Sequence, residues 1–176
     1  KIPVNSAIDM GGIGKGFLLD KLAASAEELG IYNYWFSLGG DIIARGHDKR
    51  DNPWQIMIAS ANNPNNSIAS VNVPTDRSIA IATSGITKRR GRHAGKDWHH
   101  IIDPVSGESA KTDILTATVV VSDATQADVY ASCLVSLGSE QADNFARTHN
   151  ITDYLLQIGS KSANKTRLVG DKIKLL

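Results

Sequence analysis

Leu115–Thr116–Ala117–Thr118–Val119–Val120–Val121 is followed almost at once by Asp123, Thr125 and an apolar-periodic run that closes at Leu137. Seven residues rich in Val and Thr, with no glycine or proline, predict a strand. Asp123 or Thr125 is placed to cap the helix behind it. Working outward, Tyr34–Leu38, Ile42–Ala44, Trp54–Ala59, Ile68–Val73 and Ser78–Ala82 read as earlier strands, with Asn62–Asn66 as a turn between two of them. Tyr154–Ile158 and Lys172–Leu176 read as later strands. Helical spacing is confined to Phe17–Leu29, stopped by Gly30, to the run ending at Leu137, and to a helix from Glu140 to about His149 that Ser139 can cap. Strands that come in runs, with few helices, predict an α+β fold with a largely antiparallel sheet. No internal repeat or linker interrupts residues 1–176, so one domain is expected.

Composition narrows the function. A length of 176 residues suits one domain with a real core, and a formal net charge of +1 sets up no global field toward nucleic acid or membrane. No apolar run approaches the ~20 residues of a membrane span. The single cysteine, Cys133, rules out an internal disulfide or a cysteine zinc site, and its apolar helical setting predicts a buried small hydrophobe. The chain opens on Lys1 with no signal peptide, so its start reads as a processed or cloned boundary.

Four segments carry candidate chemistry. Trp98–His99–His100–Ile101–Ile102–Asp103–Pro104 alternates as one strand, with His100 and Ile102 on one face and His99, Ile101 and Asp103 on the other. Asp103–Pro104 and Ser106–Gly107 close it in a turn. Polar groups there suit a ligand, although histidines satisfied by core or backbone partners fit the same run. The turn Asp9–Met10–Gly11–Gly12–Ile13–Gly14–Lys15–Gly16 is neither a P-loop, since Gly16 follows Lys15, nor a dinucleotide fingerprint, since Phe17 replaces the third glycine. It either brings bare backbone to a phosphate or merely permits close packing. Asp128 and Ser132 share a helix face and offer two hard oxygens to Mg²⁺, or serve as ordinary helical residues. Lys88–Lys96 is strongly basic but holds no aromatic residue for base stacking. It reads as a solvated hairpin tip with an arginine available to a phosphate, and no nucleic-acid partner is expected.

Taken in order, the glycine turn followed by Asp20, then Leu38–Gly39–Gly40–Asp41, Thr83–Ser84–Gly85, His100–Ile101–Ile102–Asp103–Pro104 with Gly107, and Ala127–Asp128 with Ser132 resemble the ApbE flavin-transferase signature. The resemblance runs from about Ile8 to Leu137. It implies an ApbE-like, T-fold-like domain. It also implies Mg²⁺-dependent transfer of FMN from FAD, as substrate, to a Thr or Ser hydroxyl of a partner flavoprotein, with release of AMP. The partners it implies are subunits of membrane redox complexes or secreted flavoproteins. The implied setting is periplasmic or otherwise extracytoplasmic, on a lipid anchor in the full-length protein.

By the same resemblance, the Gly12 carbonyl, Asp128 and Ser132 hold Mg²⁺, with Ser132 standing where the family usually has Thr. Asp9, Lys15 and the backbone at Ile102 contact FAD, while Gly39, Gly40 and Asp41 form a neighbouring wall. Ser84 belongs to the Thr-Ser-Gly motif of the flavin site, and Arg89 stands where the family has an arginine soon after it. His100 is the implied general base, and Asp103 orients either it or the loop. Thr87 replaces a tyrosine common in the family. A long upstream segment that grips the flavin ring with Met and Tyr motifs lies outside the chain. The expectation is therefore a C-terminal part of the domain, lacking its N-terminal part, that needs this segment or a second chain to bind FAD tightly. Two other readings share the site: an FAD pyrophosphatase, with water as acceptor, and a flavin-binding module without chemistry.

Overall fold

The computed structural model describes residues 3–159 and 164–176. Strand β8 (Ile114–Val121) lies between β5 (Ile79–Gly85) and β9 (Tyr154–Ile158). Beyond β5 come β2 (Asp41–Arg45) and β1 (Tyr34–Leu38), and beyond β9 comes β10 (Lys165–Val169). All five pairings of this six-stranded sheet are antiparallel. A second sheet, ordered β11–β4–β3, is built from β3 (Gln55–Ala59), β4 (Ser67–Asn72) and β11 (Ile173–Leu175). A separate hairpin joins β6 (Arg90–His93) to β7 (Lys96–His99).

The large sheet is covered on both faces, which explains the near-continuous apolar run of β8. Val119 joins the core shared with the helices, whereas Val120 joins the core shared with the small sheet. Along β5, Ala80 and Ala82 face the helices, and Ile79 and Ile81 face the small sheet. The helices are α1 (Gly14–Glu28), α2 (Ala124–Leu137) and α3 (Ser139–Thr148). Small residues (Ala80, Ala82 and Ala117 on the sheet, Ala124, Ala127 and Ala131 on α2) let α2 lie close to the strands. The result is an α+β fold of three layers, helices on a six-stranded sheet on a three-stranded sheet.

Asp123 caps α2, accepting from the Gln126 N–H at 2.7 Å. Thr125 lies inside the helix, where its N–H and hydroxyl bond Asp20 of α1 at 2.9 and 2.5 Å. Asp20 also accepts from the Ala124 N–H at 2.7 Å, so α1 supplies a second cap to α2. At the same crossing Gly16 is buried, and a Cβ there would stand 2.6 Å from the Ala124 carbonyl carbon and from the Thr125 Cα. Only glycine allows this approach.

Several sequence expectations are corrected. The strand expected through Trp98–Asp103 ends at His99. The Ser109 hydroxyl accepts from the His99 N–H at 2.9 Å and donates to the His99 carbonyl at 2.7 Å, taking both groups a next strand would use. The alternation outlasts the strand: His100 and Ile102 are exposed, while His99, Ile101 and Asp103 are half-buried. Ser139 is the first residue of α3 rather than its cap, because its N–H and hydroxyl are held by Asp113 at 2.8 and 2.5 Å; Gly138 takes the cap position. The basic segment contains strand β6, and the turn is reduced to Ala94–Gly95. Strand β10 was not anticipated, since Lys165, Thr166 and Arg167 give it the polar character of an edge strand. Cys133 is half-buried rather than buried.

Candidate functional site

The turn at Asp9–Gly12 is held locally: the Asp9 carboxylate accepts from the Gly11 N–H at 2.7 Å. Helix α1 then begins at Gly14, so Lys15 projects from its first turn. The Gly16–Ala124 crossing brings that turn against α2, and the Gly16 N–H donates to Asp128 at 3.3 Å. The Lys15 ammonium reaches both Asp128 oxygens, at 2.9 and 3.0 Å, and comes within 3.1 Å of Asp41 Oδ2. It also donates to the Gly11 carbonyl at 3.4 Å.

Asp41 arrives from the other side. Gly39 and Gly40 have φ of 61° and 101°, which turns the chain sharply between β1 and β2. A Cβ on Gly39 would stand 3.2 Å from the Lys15 Cδ, so the glycine also clears the path of the lysine stem. Asp41 Oδ1 accepts from the Thr83 N–H at 3.3 Å, while Oδ2, though beside the ammonium, is buried without a hydrogen bond. Burial pushes the Asp41 carboxyl above its ordinary value, against the pull of Lys15 and with the push of Asp128. Burial alone would lower the Lys15 ammonium, but its bonds to Asp128 and the charge of Asp41 hold it above its ordinary value.

One turn along α2 from Asp128, Ser132 shares a 2.8 Å hydroxyl bond with Ser84 of β5. Asp128 and Ser132 thus neither cap nor back-bond within α2; both turn outward to other elements. A second hydroxyl pair, Thr83 with Thr118 at 2.8 Å, lies beneath them. His100 follows β7, and its Nδ1 lies 3.3 Å from the Arg89 carbonyl. A carbonyl can only accept, so Nδ1 carries the proton in the neutral ring and Nε2 presents a lone pair. His99 is employed differently: its Nε2 donates to the Ala110 carbonyl at 3.0 Å. The Asp103 carboxylate accepts from the Val105 N–H at 3.0 Å and the Ser106 hydroxyl at 2.8 Å. Of the two tasks open to Asp103, its bonds serve the loop. These bonds hold its carboxyl below the ordinary value.

One cleft of about 1520 Å³ collects these groups. Asp9, Gly12, Lys15, Gly39, Gly40, Asp41, Ser84, Arg89, His100, Ile102, Asp103, Asp128 and Ser132 all line it. Cys133 and Thr83, neither of them expected among the site residues, line it as well. Burial raises the Cys133 thiol, which keeps it a poor nucleophile. Among the described residues no three His, Cys, Asp or Glu side chains converge on a metal position. The donor set is instead hard oxygen: Asp128, Ser132, the Gly12 carbonyl and Oδ2 of Asp41, which is paired with the Lys15 ammonium but makes no hydrogen bond. That chemistry fits Mg²⁺, which takes few carboxylates and keeps waters.

The family model described as the ApbE family matches residues 3–156. The FAD:protein FMN transferase of Klebsiella pneumoniae (strain 342) is 29% identical over 149 residues, spanning 85% of this chain and 42% of that protein. The protein of the same name from Vibrio cholerae serotype O1 is 31% identical over 144 residues, spanning 82% and 42%. Among solved structures, the flavin transferase ApbE from Vibrio cholerae has a TM-score of 0.77 at 27% identity, covering 92% of this chain and 50% of that one. The ApbE protein of Thermotoga maritima shares the fold, with a TM-score of 0.75 at 24% identity. The chain spans about half the length of the relatives it matches.

Proposed function

Because the chain belongs to the ApbE family, we propose that it supplies the phosphate-handling side of a Mg²⁺-dependent FAD:protein FMN transferase. The acceptor is a Thr or Ser hydroxyl of a partner flavoprotein, such as a subunit of a membrane redox complex, and AMP is the leaving group. The setting is extracytoplasmic, in the periplasm or on a lipid anchor. The observation that carries this reading is the convergence of Lys15, Asp41 and Asp128 on the glycine turn, within the cleft that His100 also lines.

The reaction is a substitution at phosphorus. The acceptor oxygen bonds to the phosphorus of the FMN half, the bond from that phosphorus to the bridging oxygen breaks, and AMP leaves with that oxygen. Such transfers depend on positioning and charge neutralisation more than on covalent help. Lys15 and Arg89 supply cationic side chains on the cleft wall. His100, with Nδ1 engaged on the Arg89 carbonyl, receives the hydroxyl proton at Nε2. Asp9 and Asp103 shape the two loops that approach the pyrophosphate. Asp128, Ser132 and the Gly12 carbonyl would hold Mg²⁺, which when bound neutralises phosphate charge.

The test is incubation of this chain, joined to or mixed with the upstream half that its full-length relatives carry, with FAD, Mg²⁺ and an acceptor flavoprotein, following AMP by chromatography and the acceptor by mass. Equal amounts of AMP and FMN-bearing acceptor are expected, and both should vanish in Asp128→Ala. AMP without a modified acceptor selects hydrolysis of FAD instead. Bound FAD with no AMP overturns the enzymatic reading in favour of a flavin-binding module.

A further inference from the structure

Two buried carboxylates share one ammonium in this cleft. Asp41 and Asp128 are 4% and 2% exposed, yet Lys15 is the only cation that either contacts among the described residues. With both carboxyls ionised the cluster carries a net negative charge in a place where burial penalises charge. The imbalance shows at one atom: Asp41 Oδ2 is buried, 3.1 Å from the ammonium, and still makes no hydrogen bond. The lysine is also the member able to leave. Its side chain is 38% exposed, and its flexible four-carbon stem passes Gly39, where no side chain obstructs it.

We propose that Lys15 is the resident counter-ion of a two-carboxylate cation site, and that a divalent cation enters by displacing its ammonium into the cleft. This rests on the reading of Asp128 as a metal ligand and extends it to Asp41. A dication neutralises the pair where one ammonium cannot, and hard carboxylate oxygens suit it. The displaced ammonium loses its partners unless it finds another anion, and a phosphate in the same cleft provides one. Metal and a phosphate-bearing ligand thus favour one another's binding, and the coupling is reciprocal. Lys15 acts here as a positioning residue that couples the two.

Calorimetric titration of Mg²⁺ alone into the metal-free protein tests the displacement. Lys15→Met should bind Mg²⁺ about tenfold or more tighter than the parent, the scale of one removed competing charge contact. Lys15→Arg, which keeps the cation, should restore the weaker parental affinity. Asp41→Asn should weaken Mg²⁺ binding by about tenfold or more, since it removes a full charge from the site. Equal or weaker binding by Lys15→Met would overturn the displacement, and unchanged binding by Asp41→Asn would overturn the second carboxylate. If the two unopposed carboxylates keep Lys15→Met from folding, the double variant Lys15→Met/Asp41→Asn is compared with Asp41→Asn, giving the same contrast at one carboxylate. Tighter binding by the double variant supports displacement; equal or weaker binding refutes it. Neither FAD nor acceptor is present, so a failed titration leaves FMN transfer standing, and absent AMP release leaves the displacement standing.

Discussion

His99 and His100 are adjacent, yet the structure gives them unlike surroundings. The half-buried His99 ring is tied to the Ala110 carbonyl, whereas the exposed His100 ring is tied at Nδ1 to the Arg89 carbonyl and keeps Nε2 for the cleft. His100→Ala should therefore lower protein flavinylation by ~10²–10⁴-fold, the usual worth of general acid–base catalysis. FAD binding, followed by flavin fluorescence, should change little. His99→Ala should act on stability instead, by about 1 kcal/mol for the lost bond, read as a lower urea midpoint. Loss of turnover in His99→Ala with His100→Ala fully active would reverse the assignment. This division was legible in part: the two-residue alternation separates the rings correctly, but their partners, the carbonyls of Arg89 and Ala110, each sit 11 residues away on segments that no local pattern links to them.

At the scale of elements, the site is built by one close crossing. Helices α1 and α2 meet at Gly16, Asp20 of α1 caps α2, and the contact sets Lys15 against Asp128. Gly16→Ala would drive a Cβ to 2.6 Å from the Ala124 carbonyl carbon, backbone that cannot step aside as a side chain can. Separating the helices should cost about 1–3 kcal/mol, as overpacking does. It should also lengthen the Lys15–Asp128 contact, so Mg²⁺-dependent AMP release should fall more than stability accounts for. Denaturant melts and AMP assays on the same samples check both. Hydrophobic periodicity makes the elements themselves readable, from Tyr34–Leu38 to Tyr154–Ile158. What it cannot carry is a stop imposed from a distance, such as Ser109 ending β7 at His99, or Asp113 seizing Ser139 so that Gly138 becomes the cap. The glycine turn divides between the two readings open to it: Gly16 serves packing, while Gly12 lines the cleft.

Across the whole molecule, the small sheet must be locked to the large one, because the cleft reaches both and β3 contributes Met57 and Ile58 to its wall. Apolar burial supplies most of that lock, and two polar ties fix its register. Gln157 of β9 donates to the Ala59 carbonyl at 2.9 Å and accepts from the Ala61 N–H at 2.7 Å. Asp153, the residue just before β9, accepts from the Asp171 and Lys172 N–H groups at 3.0 Å, the Thr152 hydroxyl at 2.7 Å and the Lys172 ammonium at 2.5 Å, just before β11. Burial would raise the Asp153 carboxyl, but the Lys172 ammonium and these donors outweigh it and hold it below its ordinary value of 3.8. A folded-state pKa below the unfolded one means that folding favours the ionised form. The stability this contributes is full above the unfolded value and is lost as pH falls through the folded one. Asp153→Asn should accordingly cost about 2–3 kcal/mol at neutral pH, the scale of lost bonds to a charged group. The difference from the parent should shrink as pH drops below 3.8, where the parent carboxyl also takes up its proton. The comparison must be made between parent and variant, because the raised carboxyl of Asp41 shifts stability the opposite way in acid and would mask the trend in either protein alone. Urea unfolding of both proteins at a series of pH values reads the difference directly; a gap that stays constant into acid would show that the tie works by packing and not by charge.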